Sequence, residues 1–226
     1  MTTVFIISAP SGSGKSTLVK EVRGRVANLE FSISYTTRQP RGNERDGREY
    51  FFKARDEFEK MIAEGEFLEY AEVYGEDYYG TARRFLEKAR AEGSDLLLDI
   101  DVQGADEIRR EIPDSVSIFV LPPNRGELER RLRERGQNSD AVIRQRLDAA
   151  GREIENYGKY GYILVNDRLE ESVKALEAIL LSERLQRLDR TDAGLSDIAK
   201  SYRLENVRER LQPILQSFGK TAASVK

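Results

Sequence analysis

The chain has 226 residues, enough for one large α/β domain or two small ones whose core needs no disulfide or metal staple. Charged residues make up 34% and hydrophobic residues 39%, a globular composition, and 37 basic against 40 acidic side chains disfavour a whole-protein nucleic-acid binder. Histidine, cysteine and tryptophan do not occur, which excludes a Ser-His-Asp triad, an imidazole base, a thiol nucleophile, disulfides, His- or Cys-ligated zinc and iron–sulfur clusters.

Val4 to Ser8 is an unbroken apolar run, the pattern of a strand buried on both faces. Ala9-Pro10-Ser11-Gly12-Ser13-Gly14-Lys15-Ser16 follows, a phosphate-loop pattern with Ala9 where the first glycine usually stands. The spacing has a physical reason. Gly12 and Gly14 let backbone N–H groups turn in around a phosphate, and the helix predicted over 15–26 adds its positive end. Lys15 reaches the β- and γ-phosphates, the Ser16 hydroxyl can ligate Mg²⁺, and Thr17 can touch the α-phosphate. An ordinary Gly/Ser turn is the bland alternative, but a buried strand before and a helix after meet the context this motif requires. Ala9 is tolerable there if its φ is negative.

Phe31 to Tyr35 alternates like a strand, and the polar stretch 38–50 reads as turns, with Pro40, Gly42, Asn43 and Gly47. Arg38 and Arg41 flank Pro40, with Tyr50 nearby. This suits a phosphate clamp of guanidinium forks and a phenol, and it equally describes a solvated basic loop. A short strand at Phe51–Phe52, a helix over 56–64, a strand over 67–74 and a helix over 81–92 come next. Leu96 to Asp101 is a second buried strand, ending in carboxylates. Ligands of an open parallel sheet lie off the carboxyl ends of its strands, so Asp99 is placed to help hold Mg²⁺, directly or through water. Asp101 either points to the same side or caps the helix predicted near 105–112.

A third apolar strand, Ser117 to Leu121, is stopped by Pro122 and Pro123. Residues 125–157 read as helical and carry eight arginines between Arg125 and Arg152. Interleaved Glu127, Glu129, Glu134 and Asp140 make much of this ordinary helix-surface pairing. Tyr162 to Val165 is a fourth apolar strand, and Leu169 to Leu188 an amphipathic helix. Apolar strands alternating with helices predict an α/β fold, a parallel sheet with helices on both faces. A polar break at 189–194 is the one plausible boundary. Beyond it, Leu204, Val207, Leu211, Ile214 and Phe218 recur at helical spacing, a stripe that packs back on the core, self-associates or binds a partner. No stretch approaches the roughly 20 apolar residues of a membrane span, and no signal peptide is read at the start, so a cytoplasmic location without membrane partners is expected.

Several segments occur in order over residues 4 to about 185: Ser11 to Ser16; Ser34 to Arg41; Phe67-Leu68-Glu69-Tyr70-Ala71; Tyr79-Gly80-Thr81; Leu98-Asp99-Ile100-Asp101-Val102-Gln103-Gly104; Leu121-Pro122-Pro123; and Val165-Asn166-Asp167. Together they strongly resemble the guanylate kinases, a family of nucleoside monophosphate kinases. The resemblance implies a P-loop three-layer fold with an inserted GMP-binding region at about 34–82 and a helical lid at about 125–157. These would lie within a guanylate kinase-like domain over 1–188, followed by a helical extension over 189–226. It implies Mg²⁺-dependent transfer of the γ-phosphate of ATP to GMP, giving ADP and GDP, in purine nucleotide metabolism. The expected partners are ATP and GMP, without nucleic acid or membrane, in a monomer or homo-oligomer.

By the same resemblance ATP is bound by Ala9, Pro10, Ser11, Gly12, Ser13, Gly14, Lys15, Ser16 and Thr17, with Asn166 near the adenine. The GMP phosphate falls to Arg38, Arg41, Tyr50 and Tyr79, and the guanine to Ser34, Glu69, Thr81 and Asp101. Arg131, Arg135 and Arg146 close on the ATP phosphates around a lid tip at 136–140, and act in catalysis with Lys15 and Arg38. Ser16 and Asp99 hold the metal. Chemistry agrees at Glu69: guanine presents N1–H and N2–H₂ side by side, which one carboxylate accepts as a pair, whereas adenine offers a bare N1 lone pair. Spacing alone would leave Glu69 a solvent-facing strand residue. Two other readings remain: a non-catalytic phosphopeptide-binding scaffold module of guanylate kinase-like fold, and a P-loop kinase for another small acceptor, which Glu69 with Ser34 argues against.

Overall fold

The computed structural model describes residues 2–73, 77–134 and 139–219. One sheet has the strand order β2-β7-β1-β8-β9, formed by β1 (Val4–Ser8), β2 (Leu29–Ser32), β7 (Asp95–Asp99), β8 (Val116–Leu121) and β9 (Tyr162–Val165). β2 pairs parallel with β7, and β8 parallel with β9. The apolar runs are the reason: β1 and β8 are buried at every residue, as strands covered on both faces must be. The chain divides into two compact units, one over Met1–Ile6 and Asn28–Val116, the other over Ile7–Ala27 and Ser117–Lys226.

The first unit adds a second sheet, of order β4-β3-β6-β5, from β3 (Tyr35–Thr36), β4 (Phe51–Phe52), β5 (Phe67–Val73) and β6 (Asp77–Ala82). Its helices are α2 (Arg55–Ala63), α3 (Arg83–Glu92) and α4 (Val102–Glu111). Tyr35, Phe58, Phe67 and Ala82 form a small aromatic core, in which Phe58 and Phe67 stack with centroids 4.5 Å apart. Gly80 makes room for this core, because a Cβ there would lie 2.9 Å from the Phe67 ring and 3.0 Å from Phe58. The start of β1 lies along β7, with Thr3 N donating to Asp95 Oδ1 at 2.8 Å and Leu96 N to Thr3 O at 2.9 Å.

The second unit holds α1 (Lys15–Arg23), α5 (Arg125–Glu134), α6 (Asp140–Ile154), a 3₁₀ turn (Glu155–Lys159), α7 (Leu169–Gln186), α8 (Ala193–Ser201) and α9 (Leu204–Ser217). The stripe foreseen after residue 189 packs inward: Val207, Leu211 and Ile214 are buried and Leu204 and Phe218 half-buried, with Leu215 beside them buried as well. The junction of α8 and α9 bonds back toward β9, Ile163 N donating to Tyr202 O at 2.9 Å and Leu204 N, at the start of α9, to Gly161 O at 3.0 Å. Arg203 bonds Glu183 at 2.7 Å and stacks over the Tyr162 ring. At the far end of α9, the Ser217 hydroxyl accepts from Arg125 N at 3.0 Å, and Phe218 covers Leu128, Leu132, Ile143, Leu147 and Ala150. Among the described residues no helix is long and apolar enough to cross a membrane.

Several elements differ from expectation for local reasons. The strand foreseen over 31–35 is two, β2 and β3, belonging to different sheets. The helix foreseen from Thr81 starts at Arg83, because 77–82 is strand β6. β7 stops at Asp99, since Asp101 is the N-cap of α4. The helical run foreseen over 125–157 is α5, α6 and the 3₁₀ turn, and residues 136–138 of the expected lid tip lie outside the described residues. Helix α8 was not foreseen.

Candidate active site

The phosphate loop lies in the second unit, between β1 and α1. Gly12 and Gly14 have φ of 95° and 89°, in the left-handed region where only glycine is unstrained, and Gly14 is the N-cap of α1. Close approach adds a second requirement: a Cβ on Gly14 would lie 2.3 Å from Asn166 Nδ2, and one on Gly12 2.8 Å from Leu128 Cδ1. Among the described residues the non-glycines with positive φ are Asn28 and Asp189, so Ala9 meets the condition set for it. Ser13 N donates to Pro10 O at 3.1 Å, closing the turn. Ser11, Ser16 and Thr17 are exposed and Lys15 half-buried, while Pro10 and Ser13 are covered. No acidic side chain occupies the first turn of α1, whose positive end suits an anion.

Two residues from elsewhere in this unit grip the loop. Asn166, 5% exposed just after β9, donates through Nδ2 to Ser13 O at 2.8 Å. Arg131 on α5 donates to Ser13 O at 3.3 Å, to Asn166 O at 3.0 Å and to Glu127 Oε1 at 2.7 Å. Bonds from Arg130 and Arg131 hold the Glu127 carboxyl down to about 2. A cleft of about 350 Å³ is lined by Gly12, Gly14, Thr17, Arg131, Asn166 and Asp167, among others. Arg146 is half-buried on α6, and Arg135 lies outside the described residues. Arg130 and Arg133 pair with Glu134 and Asp140 on the surface, as the interleaved charges led one to expect.

The expected acceptor residues all belong to the first unit. Arg38 is 7% exposed and converges with Glu44, Tyr50 and Tyr79. Its Nε donates to Tyr79 Oη at 3.2 Å, its Nη2 meets Glu44 at 3.0 Å, and its guanidinium lies 5.2 Å from the Tyr50 ring centroid. Burial lowers the Arg38 pKa, but bonds to Glu44 and Tyr79 outweigh burial and hold it above its ordinary value. The Tyr50 ring meets Tyr79 edge-on at 5.9 Å, and burial, followed by the Asp99 charge, pushes its phenol up to about 12, so it stays protonated. Arg41 is exposed, with its backbone N–H donating to Glu44 Oε2 at 2.8 Å. Glu44 thus ties Arg38 and the backbone of Arg41 together, and no periodicity or motif in the sequence singles it out. Ser34 is half-buried, its carbonyl accepting from Phe51 N at 2.9 Å.

Glu69 is 5% exposed, not solvent-facing. A β-bulge explains how. Phe67 pairs with Ala82 but Glu69 with Thr81, so Leu68 is the extra residue and Glu69 is brought opposite Thr81. The Thr81 hydroxyl donates to Glu69 Oε1 at 2.5 Å, so in this conformation its proton goes to the carboxylate rather than outward. Burial, against the bond from Thr81 and with the charges of Asp101 and Glu107, raises the Glu69 pKa to about 7. Tyr79 and Thr81, two residues apart on β6, share a face. Asp101 takes the capping role that had been left open, Oδ1 accepting from Gln103 N at 3.0 Å and Gly104 N at 2.8 Å. Asp99 is half-buried at the end of β7.

Comparison with known proteins agrees with this geometry. The family model described as guanylate kinase matches residues 1–183. The chain is 53% identical over 223 residues to a guanylate kinase of Koribacter versatilis, covering 96% of this chain and 95% of the relative. It is 48% identical over 185 residues to one of Xylella fastidiosa (strain Temecula1), covering 82% and 90%. Among solved structures, a guanylate kinase from Anaplasma phagocytophilum matches with a TM-score of 0.67 at 30% identity over 94% of both chains. With its loop glycines, its buried carboxylate and these relatives, the chain belongs to the guanylate kinase family.

Proposed function

We infer that the protein transfers the γ-phosphate of ATP to GMP, giving ADP and GDP. The observation that carries the choice of acceptor is the buried Glu69, a carboxylate held opposite Thr81 at 2.5 Å. A purine with N1–H and N2–H₂ satisfies such a carboxylate twice, whereas adenine would set a lone pair against it. The phosphopeptide-binding scaffold reading is not favoured, since Lys15, Ser16, Asp99, Arg131 and Arg146 retain the side chains that phosphoryl transfer uses.

The transferred group spreads negative charge over its equatorial oxygens, so the protein's part is positioning and charge stabilisation. On this reading the loop amides and Lys15 hold the ATP phosphates, and Arg131, already bonded to the loop at Ser13 O, adds a guanidinium there, joined by Arg135 and Arg146. Arg38, Arg41, Tyr50 and Tyr79 hold the GMP phosphate, and Arg38 exchanges part of its pairing with Glu44 for that anion. The attacking oxygen belongs to a phosphate that is already anionic, so no imidazole is needed to take a proton.

Mg²⁺ fits the donors present: a hydroxyl at Ser16, exposed in the first turn of α1, and a half-buried carboxylate at Asp99 are the hard oxygens this ion prefers. They are its proposed protein ligands, and the ion would offset the charge of the ATP phosphates. A cytoplasmic location goes with these substrates. Incubation with Mg·ATP and GMP, AMP, CMP or UMP in turn, with nucleotide products separated and ADP release followed, tests the reading. GDP is the expected product and GMP the strongly preferred acceptor. Equal rates with AMP would overturn it.

A further inference from the structure

We propose that Gly104 is a positioning residue for nucleobase specificity: its missing side chain is the space into which the Glu69 carboxylate fits. The proposal rests on the reading of Glu69 as the guanine-recognising group.

Gly104 is the third residue of α4 and is buried. Its φ is not among the positive values that make glycine necessary elsewhere in this chain. Alanine is the better helix former at such a position, so local backbone preference argues against glycine here. What excludes alanine is Glu69. A Cβ on Gly104 would lie 2.5 Å from Glu69 Oε2, 2.9 Å from its Cδ and 3.4 Å from its Oε1, and these are its three nearest neighbours. The backbone there is not at liberty to retreat, because Gly104 N donates to the capping Asp101 Oδ1 at 2.8 Å. On the other side the carboxylate is tied to the Thr81 hydroxyl, and the bulge between Phe67 and Glu69 fixes the strand beneath it. The carboxylate is therefore clamped between a hydroxyl and a bare stretch of helix. A methyl at 104 must displace it by about 1 Å to reach ordinary contact, enough to spoil a paired hydrogen bond to two adjacent donors.

The test is a four-protein cycle of wild type, Gly104→Ala, Glu69→Ala and the double variant, read by thermal unfolding and by kcat/KM for GMP and AMP. Gly104→Ala alone is expected to lower Tm by several degrees. Placed in the Glu69→Ala background, where no carboxylate stands in the way, the same change is expected to leave Tm equal or higher. Gly104→Ala is also expected to reduce kcat/KM for GMP by about tenfold or more through KM, to narrow the GMP/AMP ratio, and to leave KM for ATP unchanged. Equal Tm losses in both backgrounds would overturn the proposal, as would an unaltered GMP/AMP ratio in a Gly104→Ala protein that folds. Should that variant not fold, a folded double variant still supports the clamp and an unfolded one sinks it. The base-reading role is judged separately, by Glu69→Gln: if that change leaves the GMP/AMP ratio intact while the Tm cycle behaves as expected, Glu69 does not read the base although Gly104 does make room for it.

Discussion

The phosphate loop and the acceptor pocket solve related problems in opposite ways. On the proposed function the loop offers its anion backbone N–H groups, so what matters is the path of the main chain. Its essential features, φ of 95° at Gly12 and 89° at Gly14, are set by residues adjacent in sequence. On the proposed function the acceptor pocket works with side chains drawn from separate elements: Arg38 after β3, Glu69 on β5, and Tyr79 and Thr81 on β6. Each is held by a partner far along the chain, as Arg38 is by Tyr79 and Glu69 by Thr81. A backbone site tolerates few substitutions at its glycines and many beside them. A side-chain site transmits a change at one position to the next through hydrogen bonds.

The contrast can be tested from its strongest consequence downward. Lys15→Ala is expected to reduce GDP formation on the order of 10³-fold while leaving GMP binding, measured by calorimetry, near wild type, because the lost group belongs to the donor side. A parallel loss of GMP binding would break the separation. Glu69→Gln is expected to reduce discrimination between GMP and AMP by roughly 10²-fold in competing-substrate assays, with KM for ATP unchanged.

A third expectation concerns pH. The Glu69 carboxyl titrates near 7 in the native protein and at its ordinary, lower value when unfolded. Native protein therefore holds this proton more tightly, and the associated stability is complete at acid pH and lost as pH rises through about 7. Glu69→Gln, neutral throughout, should gain on wild type between pH 5 and 8, by up to about 3 kcal/mol in denaturant unfolding. A constant difference across that range would place the titration elsewhere. Smallest is Ser217→Ala, expected to cost about 1 kcal/mol through the lost cap on α5, with GMP affinity unmoved.

The same contrast explains how much could be read from the sequence. The loop was legible to the residue, including the condition on Ala9, because a backbone site writes itself as contiguous spacing. The buried strands were legible because burial on both faces leaves an apolar run. β6 was not: Asp77-Tyr78-Tyr79-Gly80-Thr81-Ala82 has neither a run nor a clean alternation, and its strand character comes from pairing with β3 and β5. The bulge that brings Glu69 opposite Thr81 is a property of register, which a single strand does not encode. Glu44 carries no signal for the same reason, and Gly104, though it stands in a matched segment, shows no reason there for being glycine, since each acts on a side chain distant in sequence or on the opposite side of a turn. Helix α8 is not legible because its nine residues bury only Ala199, leaving no repeated inward face.

The hydroxyl at Ser217 has one further consequence. The first amide of α5 finds its acceptor 92 residues downstream, where most helices find theirs in the preceding loop. Asn124 supplies only the local half of this cap, accepting from Glu127 N at 2.8 Å. The helix that carries Arg131 to the phosphate loop is thus completed by closure of a long loop, a slow event compared with local helix formation. In refolding, amide protection at Arg125 should follow the docking of α9, whereas protection at Glu127 should precede it.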